Sequence, residues 1–394
     1  MNVMLSFEVV VKKIALLFLS IIFSLIFCEL MAAKFFPQET LNFVKSISPA
    51  CFEASDFLPF VLKKSTTCYF KQEEFNHAVL INKLGYRNRE FDVEKKNGVL
   101  RILIVGDSFT FGHGAADDDT YSSQLEKFLQ KDFKNIEVIN AGHASSFSPD
   151  SYYLYLKNLG VKLKPNLVIV GFFIFNDITD LKETIWEKVD SDGLPLKIAS
   201  AWQKVNEENM LEFRKSKPRY RIPIFKNSHL FQLIYSHKQS FFDKFINFFD
   251  KNPGFNPEKE SMAIYDACIF LNECFEKKYK DEWERTKKVI MATKKLLDDS
   301  GISLLMVLIP TKEQLINNGC CGWQDLGEEE KLSINKRLKE FFKENQISYL
   351  DLYFNFKGKS IKNLYYEKDA HWTLEGNLVA AEAIYQYLLK NFNF

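Results

Sequence analysis

The amino-acid sequence predicts an α/β fold, doubly wound around a mostly parallel five-stranded sheet. Two observations predict it. Five short apolar runs, Ile102–Val105, Ile136–Ile139, Leu167–Phe173, Ile302–Ile309 and Ile347–Leu352, alternate with stretches of helical periodicity. Strands joined through helices close into a parallel sheet by right-handed crossovers, with helices on both faces. The 394 residues are 46% hydrophobic, enough to bury a substantial core.

The helices follow in order. After the first run, Tyr121, Leu125, Phe128 and Leu129 fall on one face at i, i+4, i+7 and i+8. Ser148-Pro149-Asp150 starts the next, with Ser as a cap and Pro at the first helical position. A helix over about 281–297 leads into the fourth strand, and Ile334, Leu338, Phe341 and Phe342 mark the face of another. The last covers about Leu374–Leu389. One interval is too long for a crossover: residues from about 181 to 280, rich in Phe, Tyr and Lys, carry turn signals at Asp192-Gly193 and Asn252-Pro253-Gly254. A partly helical insertion is expected there, over the carboxyl edge of the sheet, where such folds bind ligands. Residues 35–98 contain Pro37, Pro49 and Pro59 without sustained periodicity, and are expected to wrap the domain formed by 99–394.

The first 34 residues stand apart. Between Lys12-Lys13 and Lys34, the segment Ile14–Ala33 holds one charge, Glu29. At about 1.5 Å per residue it just crosses roughly 30 Å of hydrocarbon. The leading Lys pair predicts a single-pass anchor with the amino terminus inside and the rest of the chain exported, periplasmic or at the cell surface. A cleaved signal peptide is the alternative, because the strongest apolar run, Ile14–Cys28, is short and Ala32 and Ala33 follow it. A buried core helix is the third reading. Of the seven cysteines, Cys28 lies in this segment; Cys51, Cys68, Cys268, Cys274, Cys320 and Cys321 lack CxxC spacing and neighbouring histidines, so a zinc site is poorly supported. Export permits disulfides, for instance Cys51 with Cys68, but free or buried thiols stay open. With 52 basic residues interleaved among 51 acidic ones, nothing favours nucleic acid as a partner.

The sharpest local signal is Gly106-Asp107-Ser108-Phe109-Thr110-Phe111-Gly112, directly after the first strand. A serine at a strand-to-helix turn exposes its hydroxyl at the sheet edge, beside the positive end of a helix. Acyl transfer needs that arrangement, because the hydroxyl attacks a carbonyl while N–H groups face the oxyanion. The competing reading is an ordinary Asp/Ser helix cap. Far along the chain, Asp369-Ala370-His371-Trp372-Thr373 opens the last helix. There His371 is the residue type that takes a serine proton, and Asp369 one that orients an imidazole; a cap is again the alternative. Gly142, after Asn140-Ala141, and Asn176, before Asp177, end the second and third strands and are candidate oxyanion donors, although Asn, Gly and Asp also dominate simple turns.

Ser108, Gly142, Asn176 and His371 follow four successive strand ends, and from about Asn82 to the carboxyl terminus the sequence resembles the SGNH/GDSL hydrolases. Leu84-Gly85-Tyr86-Arg87 is similar to the approach segment of membrane-tethered bacterial members, and Leu308-Ile309-Pro310-Thr311-Lys312-Glu313 to their fourth strand exit. The resemblance implies a flavodoxin-like fold, Ser108 as nucleophile, Asp369 and His371 as its partners, and an oxyanion hole from Ser108, Gly142 and Asn176. Gly106, Asp107 and Asp177 support the motifs, and no metal or organic cofactor is implied. Phe109 stands where the family has Leu, and Ile174 where it has Gly before the Asn block. The Asp-x-His spacing with Trp372 and Thr373 is similar to the alginate-acetylation branch. The implied activity is O-acyl ester hydrolysis or transfer, on an exported carbohydrate or a small ester. A lipid esterase and a non-catalytic glycan-binding scaffold are the rivals.

Other residues carry less. His113 and His143 are expected as near-surface loop histidines, with a place lining the cleft as the alternative, and Asp117-Asp118-Asp119 as a capping run, with cation binding as the alternative. Trp202, Phe231, Tyr235, Phe241 and Phe242 are expected mostly in the core, with stacking on sugar rings as the alternative.

Overall fold

In the computed structural model of the chain, the described residues are 2–36, 38, 51–71, 74–143, 147–182, 184–200, 226–237, 267–316, 326–367 and 369–392. The chain divides into two units. One comprises Met1–Pro49 with Glu207–Ala263, the other Ala50–Asn206 with Ile264–Phe394.

The larger unit is built on five parallel strands, β5 (Leu100–Gly106), β6 (Ile136–Gly142), β7 (Leu167–Phe173), β10 (Ser303–Ile309) and β11 (Ser348–Asp351). They lie in the order β11-β10-β7-β5-β6. The predicted strands are therefore the observed ones, within a residue or two at most ends. β7 is buried along its whole length, as expected for a central strand covered on both faces. One face packs on α4 (Pro149–Asn158), α7 (Lys280–Asp299) and α8 (Ser333–Glu344), through Leu103, Val168, Val170, Leu156, Val289 and Leu338. The other packs on α3 (Tyr121–Leu129) and α9 (Leu374–Asn391), through Ile102, Ile104, Ile169, Val307, Leu125 and Ile384. Pro149 sits at the first position of α4 as predicted, but the Ser148 hydroxyl bonds the Asp150 carboxylate at 2.8 Å instead of a backbone N–H.

Two stretches carry strands that the periodicity did not reveal. Within 51–81, β1 (Phe52–Glu53) pairs β2 (Val61–Leu62), and β3 (Thr66–Lys71) pairs β4 (Asn76–Ile81), both antiparallel. Cys51 and Cys68 form a disulfide there and join Leu62, Val79, Ile81 and Phe111 in a small buried cluster. Cys268 and Cys274 form a second disulfide. The insertion opens as a hairpin, β8 (Thr184–Val189) against β9 (Pro195–Ser200), with Asp192-Gly193 at its turn. Trp202, Phe241, Phe242, Asn252-Pro253-Gly254, Cys320 and Cys321 lie outside the described residues. These strands are short and two-sided, so their pairing comes from neighbours and not from an alternating pattern.

The smaller unit contains α1 (Asn2–Phe35) and α6 (His229–His237). Residues Val10–Phe35 of α1 are long and apolar enough to cross a membrane, and Leu16, Leu19, Phe23 and Phe27 among them are exposed.

Candidate active site

β5 ends in Gly106, Asp107 caps a four-residue helix α2 (Ser108–Phe111), and Gly112 closes it in the left-handed region at φ 87°. The Asp107 carboxylate accepts from Phe109 N–H at 2.9 Å, so the turn that presents Ser108 is held by the residue before it. Gly106 is required there: a Cβ would stand 2.1 Å from Thr110 Oγ1 and 2.8 Å from the Gly171 carbonyl. Asp107 is buried, which pushes its carboxyl up to about 6 despite the Phe109 N–H, the His371 charge and the Asn176 side chain beside it.

Asp369 and His371 stand on the loop before α9. His371 Nε2 lies 2.7 Å from Ser108 Oγ, and its Nδ1 lies 2.5 Å from Asp369 Oδ1. The same carboxylate oxygen accepts from His371 N–H at 2.9 Å, which the two-residue spacing makes possible. Burial would raise the Asp369 carboxyl, but the His371 side chain, the His371 and His113 charges and that N–H outweigh it and hold it down to about 2. The loop is fixed from several sides. Glu74 accepts from Glu367 N–H at 2.6 Å and Asp369 N–H at 2.9 Å, while Lys312 donates to the Tyr366 and Glu367 carbonyls. Trp372 is buried against Phe356, with Phe109 at its edge.

The other predicted residues divide. Asn176 begins a short helix, α5 (Asn176–Thr179), straight after β7, and its side chain lies beside Asp107. Gly142 ends β6, and its N–H donates to Asn140 Oδ1 at 2.9 Å. What Gly142 supplies is room, because a Cβ there would meet Phe111 N at 2.3 Å and push the serine turn off β6. Asp177 is structural, buried and bonded to Tyr152 OH at 2.7 Å and Phe173 N–H at 3.1 Å.

Neither His113 nor His143 is a surface histidine. His143 stacks on Phe147 at 4.0 Å, and its burial pushes the imidazole down to about 4. His113 stands between Phe70 and Phe75, 4.6 Å from the His371 ring and 3.9 Å from Asp369 Oδ2; burial, then the His371 charge, pushes it down to about 3. Loop position alone misplaced them, since the aromatic residues that cover them come from distant segments. His113, Asp369 and His371 offer ligand atoms within 4.8 Å of one another, the one such metal-capable group among the described residues. His371 Nε2 points at the serine hydroxyl, so the imidazole cannot serve a cation through that atom and the hydroxyl at once. Phe109, in the place of a Leu, lies 4.8 Å from the imidazole and 4.5 Å from Phe173.

One residue was quoted in the sequence without a role. Arg87 is buried, and its guanidinium donates to the carbonyls of Phe111 and Gly112 and to that of Ala115, while pairing with Asp117 at 2.8 Å. Asp117 thus anchors Arg87, and α3 takes its cap from Thr120. The guanidinium fork is shaped to reach three carbonyls at once. Arg87→Ala is expected to destabilise the fold by on the order of 3 kcal/mol, read as a lower denaturation midpoint, by stripping those carbonyls of their guanidinium donors and Asp117 of its ion-pair partner. Arg87→Lys should recover little, since an ammonium cannot fork.

Residues 266–393 match a family model described as "SGNH hydrolase-like domain, acetyltransferase AlgX". The match includes Asp369 and His371 but stops short of Ser108. Among solved structures, the chain is similar to a GDSL-like lipase from Bacteroides thetaiotaomicron at 12% identity, over 74% of this chain and 88% of that one, TM-score 0.33. It is also similar to a catalytic mutant of an acetylxylan esterase from Geobacillus stearothermophilus at 13% identity, over 74% and 95%, TM-score 0.37. No curated protein sequence matches the chain.

Proposed function

We propose that this chain, an SGNH superfamily member similar to AlgX, hydrolyses or transfers O-acyl groups, most readily acetyl, on an exported carbohydrate through an acyl-Ser108 intermediate. The observation that carries the reading is the continuous relay from Ser108 Oγ through His371 to Asp369, at 2.7 and 2.5 Å. His371 takes the serine proton as the hydroxyl attacks, and returns it to the departing alkoxide. It then activates water or a sugar hydroxyl to release the acyl group. Asp369 fixes the imidazole tautomer and faces the imidazolium that forms.

The oxyanion is assigned to two donors. Ser108 N–H is at the first helical position, where a backbone amide has no intrahelical acceptor. Asn176 Nδ2 carries two N–H groups, so contact with Asp107 leaves one for the substrate. Gly142 N–H, which donates to Asn140 Oδ1, would join them by exchanging that acceptor for the oxyanion; removing one donor elsewhere costs about 3–4 kcal/mol of transition-state stabilisation. Phe109, packed beside His371 and backed by Phe173, favours a small acyl group.

Turnover of p-nitrophenyl acetate against the decanoate tests the acyl class. Acetate is expected to lead by about a hundredfold in kcat/KM, the scale of discrimination a shaped pocket reaches. Equal rates would move the reading to the lipid-esterase alternative. Adding a glycan acceptor then separates transfer from hydrolysis, through acetyl recovered on sugar instead of as acetate.

A further inference from the structure

Glu29 is the one charge in an apolar segment, and a carboxylate at that depth is costly unless something satisfies it. Its partners come from residues about two hundred positions away, in the same unit. Ser228 hydroxyl donates to it at 2.6 Å, His229 N–H at 2.7 Å and Leu230 N–H at 3.0 Å. These are the first turn of α6, where unpaired amides and the positive helix end favour an anion. Ser228 caps the same turn again by accepting from Phe231 N–H at 3.0 Å. One turn past the end of α1, Gln38 N–H donates to His229 Nδ1 at 2.8 Å. The start of α6 is therefore held alongside the stretch from Glu29 to Gln38. By helical rise, Glu29 lies only about 9 Å inside the end of α1 at Phe35.

We propose that α6 is a second membrane element, an interfacial helix lying in the outer headgroup layer against the outer end of α1. The inference rests on reading α1 as a retained anchor. It also strengthens that reading, because cleavage after Ala33 would remove the carboxylate on which α6 is built. The occupant of the free face is lipid, argued from continuity with the exposed apolar surface of α1 and from composition. Within HLFQLIYSH, Gln232 and Tyr235 are turned inward and Ile234 outward, 45% exposed. An element of this kind binds by apolar burial at the acyl boundary.

Photolabelling of the full-length protein in vesicles of phosphatidylethanolamine and phosphatidylglycerol tests this. Benzoylphenylalanine replaces Ile22, Ile234 or Ile185 in turn, and lipid adducts are counted by mass spectrometry. Positions 22 and 234 are expected to label well above 185, and Glu29→Ala to lower the 234 signal roughly fivefold while leaving 22 unchanged, the scale of a lost cap. Labelling at 22 with 234 no higher than 185 would overturn the proposal and leave the anchor standing. No labelling at 22 would remove the anchor and the proposal together, and a 234 signal indifferent to Glu29→Ala would remove the docking.

Discussion

Ser108→Ala is expected to cut turnover of an acetyl ester by roughly 10⁴- to 10⁶-fold in kcat, the scale seen when a relay loses its nucleophile. The remaining rate would come from binding and the oxyanion donors alone. Folding should be indifferent to the change. The turn is held by the Asp107 carboxylate, by Gly112 N–H and by the Arg87 fork, whereas the serine hydroxyl bonds His371. Steady-state kinetics beside a denaturation midpoint checks both halves. A variant that keeps the parental rate would end the acyl-serine reading, and one that loses rate and stability together would leave the cause in the fold.

Asp369→Asn is expected to lower kcat by about 10⁴-fold, because an amide NH₂ facing Nδ1 favours the tautomer that cannot take the serine proton. This substitution also has a stability signature. The Asp369 carboxyl is depressed from 3.8 to about 2. A carboxylate so depressed stabilises the fold above its ordinary range, and the contribution is lost as pH falls through about 2. At neutral pH it amounts to about 2 kcal/mol, since the side chain is mostly shaded from solvent. Parent and variant should therefore differ in unfolding free energy near pH 7 and converge toward pH 2. A gap that stays constant with pH would mean that the Asp369–His371 pair contributes nothing through charge.

Legibility in the sequence followed the range of the forces involved. Ser108 was readable because it sits at a strand end with local turn chemistry, and His371 because it stands beside an acid in the turn that opens the last helix. Asp369 was readable because it is two residues from its partner. Glu74 gave no signal at all: one of two adjacent acids in a stretch without periodicity, its role comes from meeting the amides of Glu367 and Asp369. Arg87 was visible as part of a motif, but the carbonyls it clamps were not. Gly142 was legible as a strand-end glycine, whereas the contact of its N–H with Asn140 Oδ1 was not.

The sequence by itself determined the five-stranded α/β core and the two segments that carry the relay, because hydrophobic period and turn chemistry act over a few residues. Tertiary structure alone decided the burial of His113 and His143, the pinning of the Asp369 loop, and the seat of Glu29 at the start of α6. Those outcomes depend on desolvation and on hydrogen bonds between groups up to 295 residues apart. Such forces exist only once the chain has closed on itself.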